Sequence, residues 1–133
     1  MSKNEKRIIY VDAGMNENKE FQIALYDPKI HLTSITKLIN IENNFIAEKY
    51  AVVNAITYVK SNELTRVVIM CDNEPVTKDP KILKLCNKYN IRLMWIPREI
   101  NLIADKVSKL PPTKKDEDFY TIDFIYDLIF ANN

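Results

Sequence analysis

Apolar and polar positions along this chain fall into two periodicities, and the alternation between them predicts most of the elements. Residues 7–12 (RIIYVD) form a β-branched apolar run, long enough for a strand and too short for a helix. The polar stretch 13–19 (AGMNENK) predicts a turn. FQIALYD (21–27) and KIHLTSITKL (29–38) alternate with a period of two around Asp27-Pro28, which predicts two antiparallel strands joined by a tight turn. Over 43–60 the spacing becomes helical: Phe45, Val52, Ala55, Ile56 and Val59 share one stripe, with Asn43 or Asn44 as the cap. RVVIMCD (66–72) reads as another buried strand. Asp79-Pro80 opens a helix with Ile82, Leu85, Cys86 and Tyr89 at i, i+3, i+4 and i+7. IRLMWI (91–96) is a fifth strand and REINLIADKVSKL (98–110) a helix. The order β-β-β-α-β-α-β-α implies an α/β fold, a mixed sheet whose faces are covered by helices.

Leu110-Pro111-Pro112 ends that last helix. Residues 1–110 therefore read as the core domain, and 111–133 as a charged linker (TKKDED) with an apolar helix. In that helix Ile122, Ile125, Tyr126 and Ile129 form a stripe. The stripe either docks on its own core or meets a second chain, giving a homodimer through residues 119–130.

Bulk composition narrows the class. At 133 residues the chain fits one domain, and 47% hydrophobic with 28% charged residues is ordinary for a globular protein. The formal charge of +1 lowers the expectation of tight, sequence-independent nucleic-acid binding. No apolar run approaches the ~18 residues of a membrane span, and MSKNEKR is no signal peptide, so no membrane association and a cytoplasmic location are expected. Cys71 and Cys86 sit in apolar runs without metal-ligand spacing and read as buried reduced thiols. With a single glycine, Gly14, no glycine-rich phosphate loop can form.

Candidate chemistry lies in carboxylates. Two apolar strands run into aspartates, IIYV into Asp12 and VVIMC into Asp72. If those strands are parallel neighbours, both side chains stand at one C-terminal sheet edge, where open α/β sheets hold their ligands. Aspartate also ends strands simply because it suits turns. Glu48 is less ordinary: it shares a helix face with Phe45, Val52 and Ile56, where losing hydration costs several kcal/mol unless a partner compensates. That partner is a metal ion or a cation from another element. Asp105, taken alone, reads as a solvated helix-face aspartate. Carboxylates without His or Cys ligands suit Mg²⁺ or Mn²⁺ and argue against zinc. Four converging carboxylates would hold two such ions about 4 Å apart, an arrangement suited to phosphodiester cleavage.

The segments YVDAG, AEKYAVVNAI, MCDNEPV and WIPREINLIADKVSK resemble the ribonuclease H family, in order and with compatible spacing across residues 7–109. The likeness is strongest to the short branch with a Trp-Ile-Pro-Arg-Glu-x-Asn-x-x-Ala-Asp final motif. It implies a ribonuclease H-like five-stranded mixed sheet, with three antiparallel strands followed by two parallel ones, flanked by helices. It also implies a two-metal endonuclease, using Mg²⁺ or Mn²⁺, that cuts the RNA strand of RNA–DNA hybrids and leaves 5′-phosphate and 3′-hydroxyl ends. Asp12 would bridge both ions, Asp72 would serve the ion activating water, and Glu48 the ion near the leaving oxygen. Asp105 would complete the set through a looser contact. Gly14, Asn16, Asn44 and Asn73 could touch sugar or phosphate, and a residue without Cβ at 14 allows close backbone approach.

Carboxylate order separates relatives of this fold. Integrases and transposases place the glutamate last, on the final helix, whereas Glu48 is second here. Proofreading-type exonucleases carry an acidic residue where this chain has Gly14. Many ribonucleases H have a histidine in a loop before the last Asp. The single histidine here, His31, lies in a predicted strand far from that loop, which leaves Lys106 as a substitute or turnover slow. Trp95, in an apolar strand, is expected in the core rather than stacked on a base. Arg98 would clamp a phosphate, hold the carboxylate cluster or cap a helix end. A non-catalytic binding module and a same-fold nuclease for another nucleic acid are the competing readings.

Overall fold

The computed structural model describes residues 5–111. Strand β1 spans Arg7–Met15, β2 Phe21–Asp27 and β3 Leu32–Lys37; helix α1 spans Asn44–Ser61, and β4 Val67–Cys71. Two helices follow, α2 at Glu74–Thr77 and α3 at Pro80–Lys88, then β5 at Arg92–Trp95 and α4 at Leu102–Ser108. The sheet order is β3-β2-β1-β4-β5. β1–β2 and β2–β3 are antiparallel, and β1–β4 and β4–β5 are parallel. The expected five-stranded mixed sheet, three antiparallel strands then two parallel, is therefore the observed one. The core lies between the sheet and α1–α3, and is built from Ile9, Val11, Ile23, Leu25, Ile69, Val52, Ile56, Ile82 and Cys86.

Several boundaries differ from the sequence reading, each for a physical reason. β1 continues through 13–15 instead of turning, because β2 pairs along it as far as Met15↔Phe21. The turn occupies 16–19, where Asn16 Oδ1 accepts from the amides of Asn18 and Glu20. Residues Pro28–Ile30 form a 3₁₀ turn rather than the start of β3. His31 ends that turn with φ 53°, exposed and outside any strand, which corrects its expected strand position. α2 was not foreseen; Asn73 caps it by accepting from the Val76 amide. The last helix begins at Leu102 rather than 98, because Pro97–Ile100 closes as a turn onto the Pro97 carbonyl.

The α1 stripe holds for Val52, Ala55, Ile56 and Val59, but Phe45 is exposed, with the Lys49 ammonium 5.1 Å from its ring centroid. Asn43, not Asn44, is the cap, accepting from the Ile46 amide at 3.0 Å. α3 starts as predicted, with Asp79 accepting from the Ile82 amide. Cys71 and Cys86 are buried free thiols. Among the described residues no helix is long and apolar enough to cross a membrane. The expectations of an apolar tail helix and of a dimer contact through residues 119–130 fall outside the described residues.

Candidate metal centre

The register of β1 and β4 builds the site. Their pairing ends at Val11↔Cys71, so Asp12 and Asp72 are the next residues on two parallel neighbours. β4 stops there while β1 runs on, which leaves the Ala13 amide without a ladder partner on that side. That amide donates to Asp12 Oδ1 at 2.9 Å and to Glu48 Oε1 at 3.3 Å. Glu48 comes from α1, so one backbone N–H ties the helix to the strand that carries Asp12. Asp12, Glu48 and Asp72 bring their carboxylate oxygens within 4.8 Å of one another.

Asp12 and Glu48 are both almost wholly buried, each at 1% exposure. Asp12 Oδ2 and Glu48 Oε2 have no hydrogen-bond partner, and among the described residues Glu48 makes no ion pair. Burial first, and then the charges of Glu48 and Asp72, raise the Asp12 carboxyl above its ordinary range. Burial raises Glu48 too, against the Ala13 amide that donates to it. Asp72 is also raised by burial, against a hydrogen bond from Asn101 and the charge of Arg98. Two buried carboxylates with orphaned oxygens fit a hard divalent cation, the species that would satisfy those lone pairs and cancel the repulsion.

Asp105 stands beside this trio, outside the 4.8 Å group. Burial would raise its carboxyl, but the hydrogen bond and charge of Lys109 oppose that, and the carboxyl is held low. Lys109 Nζ lies 3.2 Å from Asp105 Oδ1, so the cation next to this aspartate is Lys109, while Lys106 is exposed. Arg98 is exposed on the turn before α4, and its charge is felt by Glu48, Asp72 and Asp105.

The other sequence candidates have structural work at their positions. Asn16 is buried: its Nδ2 donates to Gln22 at 2.7 Å and Glu20 at 3.2 Å, and its Oδ1 takes two amides. Its donor and acceptor capacity is spent in the β1–β2 turn. A Cβ on Gly14 would lie 2.6 Å from Ser108 Oγ and 3.0 Å from Lys109 Cγ, so the space beside this glycine is filled by α4 rather than left open for a substrate. Asn73 caps α2, and Asn44 is exposed in the first turn of α1. Trp95 corrects an expectation: it is 46% exposed rather than in the core, with Nε1 donating to the Asp72 carbonyl at 3.3 Å.

Sequence reasoning passed over Asn101. It is 1% exposed, and its Nδ2 donates to the Val11 carbonyl at 2.8 Å and to Asp72 Oδ2 at 2.9 Å. It thus fixes one metal-facing carboxylate against the strand that carries the other. The sequence signal for it is the asparagine of the Trp-Ile-Pro-Arg-Glu-x-Asn motif.

Comparison with known proteins agrees with this architecture. The chain is similar to a solved structure described as the catalytic core domain of BIV integrase, with a TM-score of 0.50 and 12% sequence identity. The match covers 90% of this chain and 64% of that one, so the chain spans just under two thirds of its length. At this identity the likeness shows the fold, which is ribonuclease H-like. No family model matches the sequence, and no curated protein matches it.

Proposed function

We propose that this protein is a metal-dependent endonuclease of the ribonuclease H type, cutting the RNA strand of RNA–DNA hybrids with two Mg²⁺ ions, or Mn²⁺ in their place. The observation that carries this reading is the convergence of Asp12, Glu48 and Asp72 with two buried, unpartnered carboxylate oxygens. Its support for a hybrid substrate is the order of the carboxylates along the chain. Glu48 is second, on the first helix, whereas the integrase-like pattern puts the glutamate last.

The divalent ions would supply Lewis acidity for water and charge neutralisation at the leaving 3′ oxygen. The chain's own residues hold and orient. Asp12 and Asp72, side by side on parallel strands, would hold the ion that activates water, and Asp12 with Glu48 would hold the ion near the leaving oxygen. Asp105, next to the trio and paired with Lys109, would add a looser contact. Asn101 keeps Asp72 from rotating, and Arg98 places positive charge where a phosphate would approach. Asn44 and Asn73 would contact sugar or phosphate, whereas Gly14, with α4 packed against it, gives α4 room rather than a substrate. Buried reduced cysteines support a cytoplasmic location.

The likeness to an integrase core favours a second reading, phosphodiester chemistry on DNA at the same carboxylates. One experiment separates the two: cleavage of labelled RNA–DNA hybrid, single- and double-stranded RNA and double-stranded DNA, in Mg²⁺, Mn²⁺ and EDTA, beside Asp72→Asn. Metal-dependent cutting of the hybrid's RNA alone, lost in Asp72→Asn, is expected. Cutting of DNA instead would move the substrate. Binding without cutting of any would leave a non-catalytic module.

A further inference from the structure

The two faces of the sheet are covered unequally. Side chains alternate along strands, and Arg7, Ile9, Val11 and Ala13 point to the face packed by α1, α2 and α3. All the buried sheet residues of the main core lie on that face. The opposite face carries Asp12 and Gly14, and on it lies α4, as the contacts of Ser108 with Gly14 and Gln22 show. α4 packs against β1, β2 and β3. It is only seven residues long.

The middle of the rest of that second face is apolar, with Thr33 and Arg92 towards its edges. The register puts Tyr10 beside Tyr26 and beside Met70, and Met70 beside Met94. Tyr10 and Tyr26 stack with ring centroids 5.9 Å apart. Ile8, Tyr10, Tyr26, Ile35, Met70 and Met94 are half-buried, and none belongs to the main core cluster. β1, β4 and β5 are parallel, and parallel strands are ordinarily covered on both faces. Among the described elements nothing covers Met70 and Met94.

The chain outside the description points to the occupant. It leaves from Leu110, whose carbonyl accepts from Gln22 Nε2 at 2.9 Å, on this same face of the sheet. Residues 112–118 can span up to about 24 Å. The next twelve, FYTIDFIYDLIF, would be about 18 Å long as a helix, close to the length of a five- or six-residue strand. We propose that residues 119–130 cover the open half of the sheet in the same chain, laying their apolar stripe along Tyr10, Tyr26, Met70 and Met94. This closes the second layer and backs the strands that carry Asp12 and Asp72. An apolar groove between α1 and α3, floored by Ile46, Val53 and Ile82, is the rival seat, but it lies across the sheet from the point of departure.

Paramagnetic relaxation in the full-length protein tests this. A nitroxide is attached at Asp127→Cys, and in a second variant at Asp123→Cys; the native thiols are buried and do not compete. Isoleucine and methionine methyl groups are observed. Loss of intensity at Met70, Met94 and Ile8, with Ile46 and Ile82 retained, is expected. A mixture of spin-labelled, isotope-free protein with isotope-labelled, spin-free protein should show no loss. Loss at Ile46 and Ile82 instead, no loss on the sheet face, or loss in the mixed sample would each overturn the assignment, the last in favour of a second copy.

Discussion

Asn101 holds a metal-facing carboxylate in place, and Gly14 makes room for α4. Asn101 spends both amide protons on Val11 and Asp72. Replacing it with alanine leaves a buried carbonyl and a buried carboxylate oxygen short of a donor, at a cost of about 1–3 kcal/mol. Asn101→Ala is expected to lower stability by that amount and to weaken divalent-ion affinity about 10–100-fold. Urea denaturation and isothermal titration with Mn²⁺ check it; unchanged Mn²⁺ affinity would remove Asn101 from the site. Gly14→Ala drives a Cβ into Ser108 Oγ and is expected to cost about 1–3 kcal/mol. Ser108→Ala in the same chain removes the 2.6 Å contact and should restore part of that loss in a double-mutant cycle. Simple additivity would show that the strain lies elsewhere.

Among elements, α1 is the one whose two ends do different work. Its N-terminal turns carry Glu48 to the site, and near its C-terminus Tyr58 ties it to the sheet. The Tyr58 hydroxyl donates to Asp27 at 2.6 Å, and Arg7 pairs with the same carboxylate at 2.7 Å. Burial would raise Asp27, but the hydrogen bonds from Arg7 and Tyr58 outweigh it and hold its carboxyl below the ordinary range. A depressed carboxyl gives stability that is present above the unfolded value, near 3.9, and is lost as pH falls through the folded value. Burial, and then the Asp27 hydrogen bond, push Tyr58 up to about 12. That stability is present below the ordinary tyrosine value of about 10 and is lost as pH rises toward 12. Asp27→Asn should therefore flatten the acid limb of a stability–pH profile below about pH 4. Tyr58→Phe should flatten the alkaline limb and cost about 1.5–3 kcal/mol at neutral pH. Parallel profiles for wild type and variants would rule out this triad as the source.

For the whole molecule, the metal centre is a stability question as much as a catalytic one. Without a cation the orphaned Asp12 and Glu48 oxygens are an uncompensated burial cost. Mg²⁺ or Mn²⁺ is expected to raise the melting temperature in proportion to the logarithm of its concentration above Kd. Asp12→Asn is expected to raise the metal-free melting temperature, by on the order of 1–2 kcal/mol of stability, and to abolish the metal-dependent shift. Calorimetry with and without EDTA reads both, and a metal-dependent shift surviving in Asp12→Asn would place the ion elsewhere. If hybrid binding rests on few phosphate contacts, its affinity should fall steeply with salt.

Periodicity and local chemistry were enough to set the order of the strands along the chain, the helices α1 and α3 with the Asp79-Pro80 start of the latter, and the two strands that run into Asp12 and Asp72; which of Asn43 and Asn44 caps α1 was left to the structure. These features depend on neighbours a few residues away, and such signals survive in a one-dimensional string. The burial of Glu48 was legible for the same reason, because a carboxylate on an apolar helix stripe is a local contradiction. Other features needed the folded chain. β1 outlasts its apolar run because β2 pairs with it, and Trp95 is exposed because β5 is an edge strand beside the end of β4. Gly14 is required by a helix more than ninety residues later, and Asn101 bridges two strands it never adjoins in sequence. Convergence of the carboxylates was decided by the β1–β4 register and the packing of α1: had the two strands paired one residue out, Asp12 and Asp72 would not stand side by side, and Glu48 reaches them only because α1 lies on the sheet.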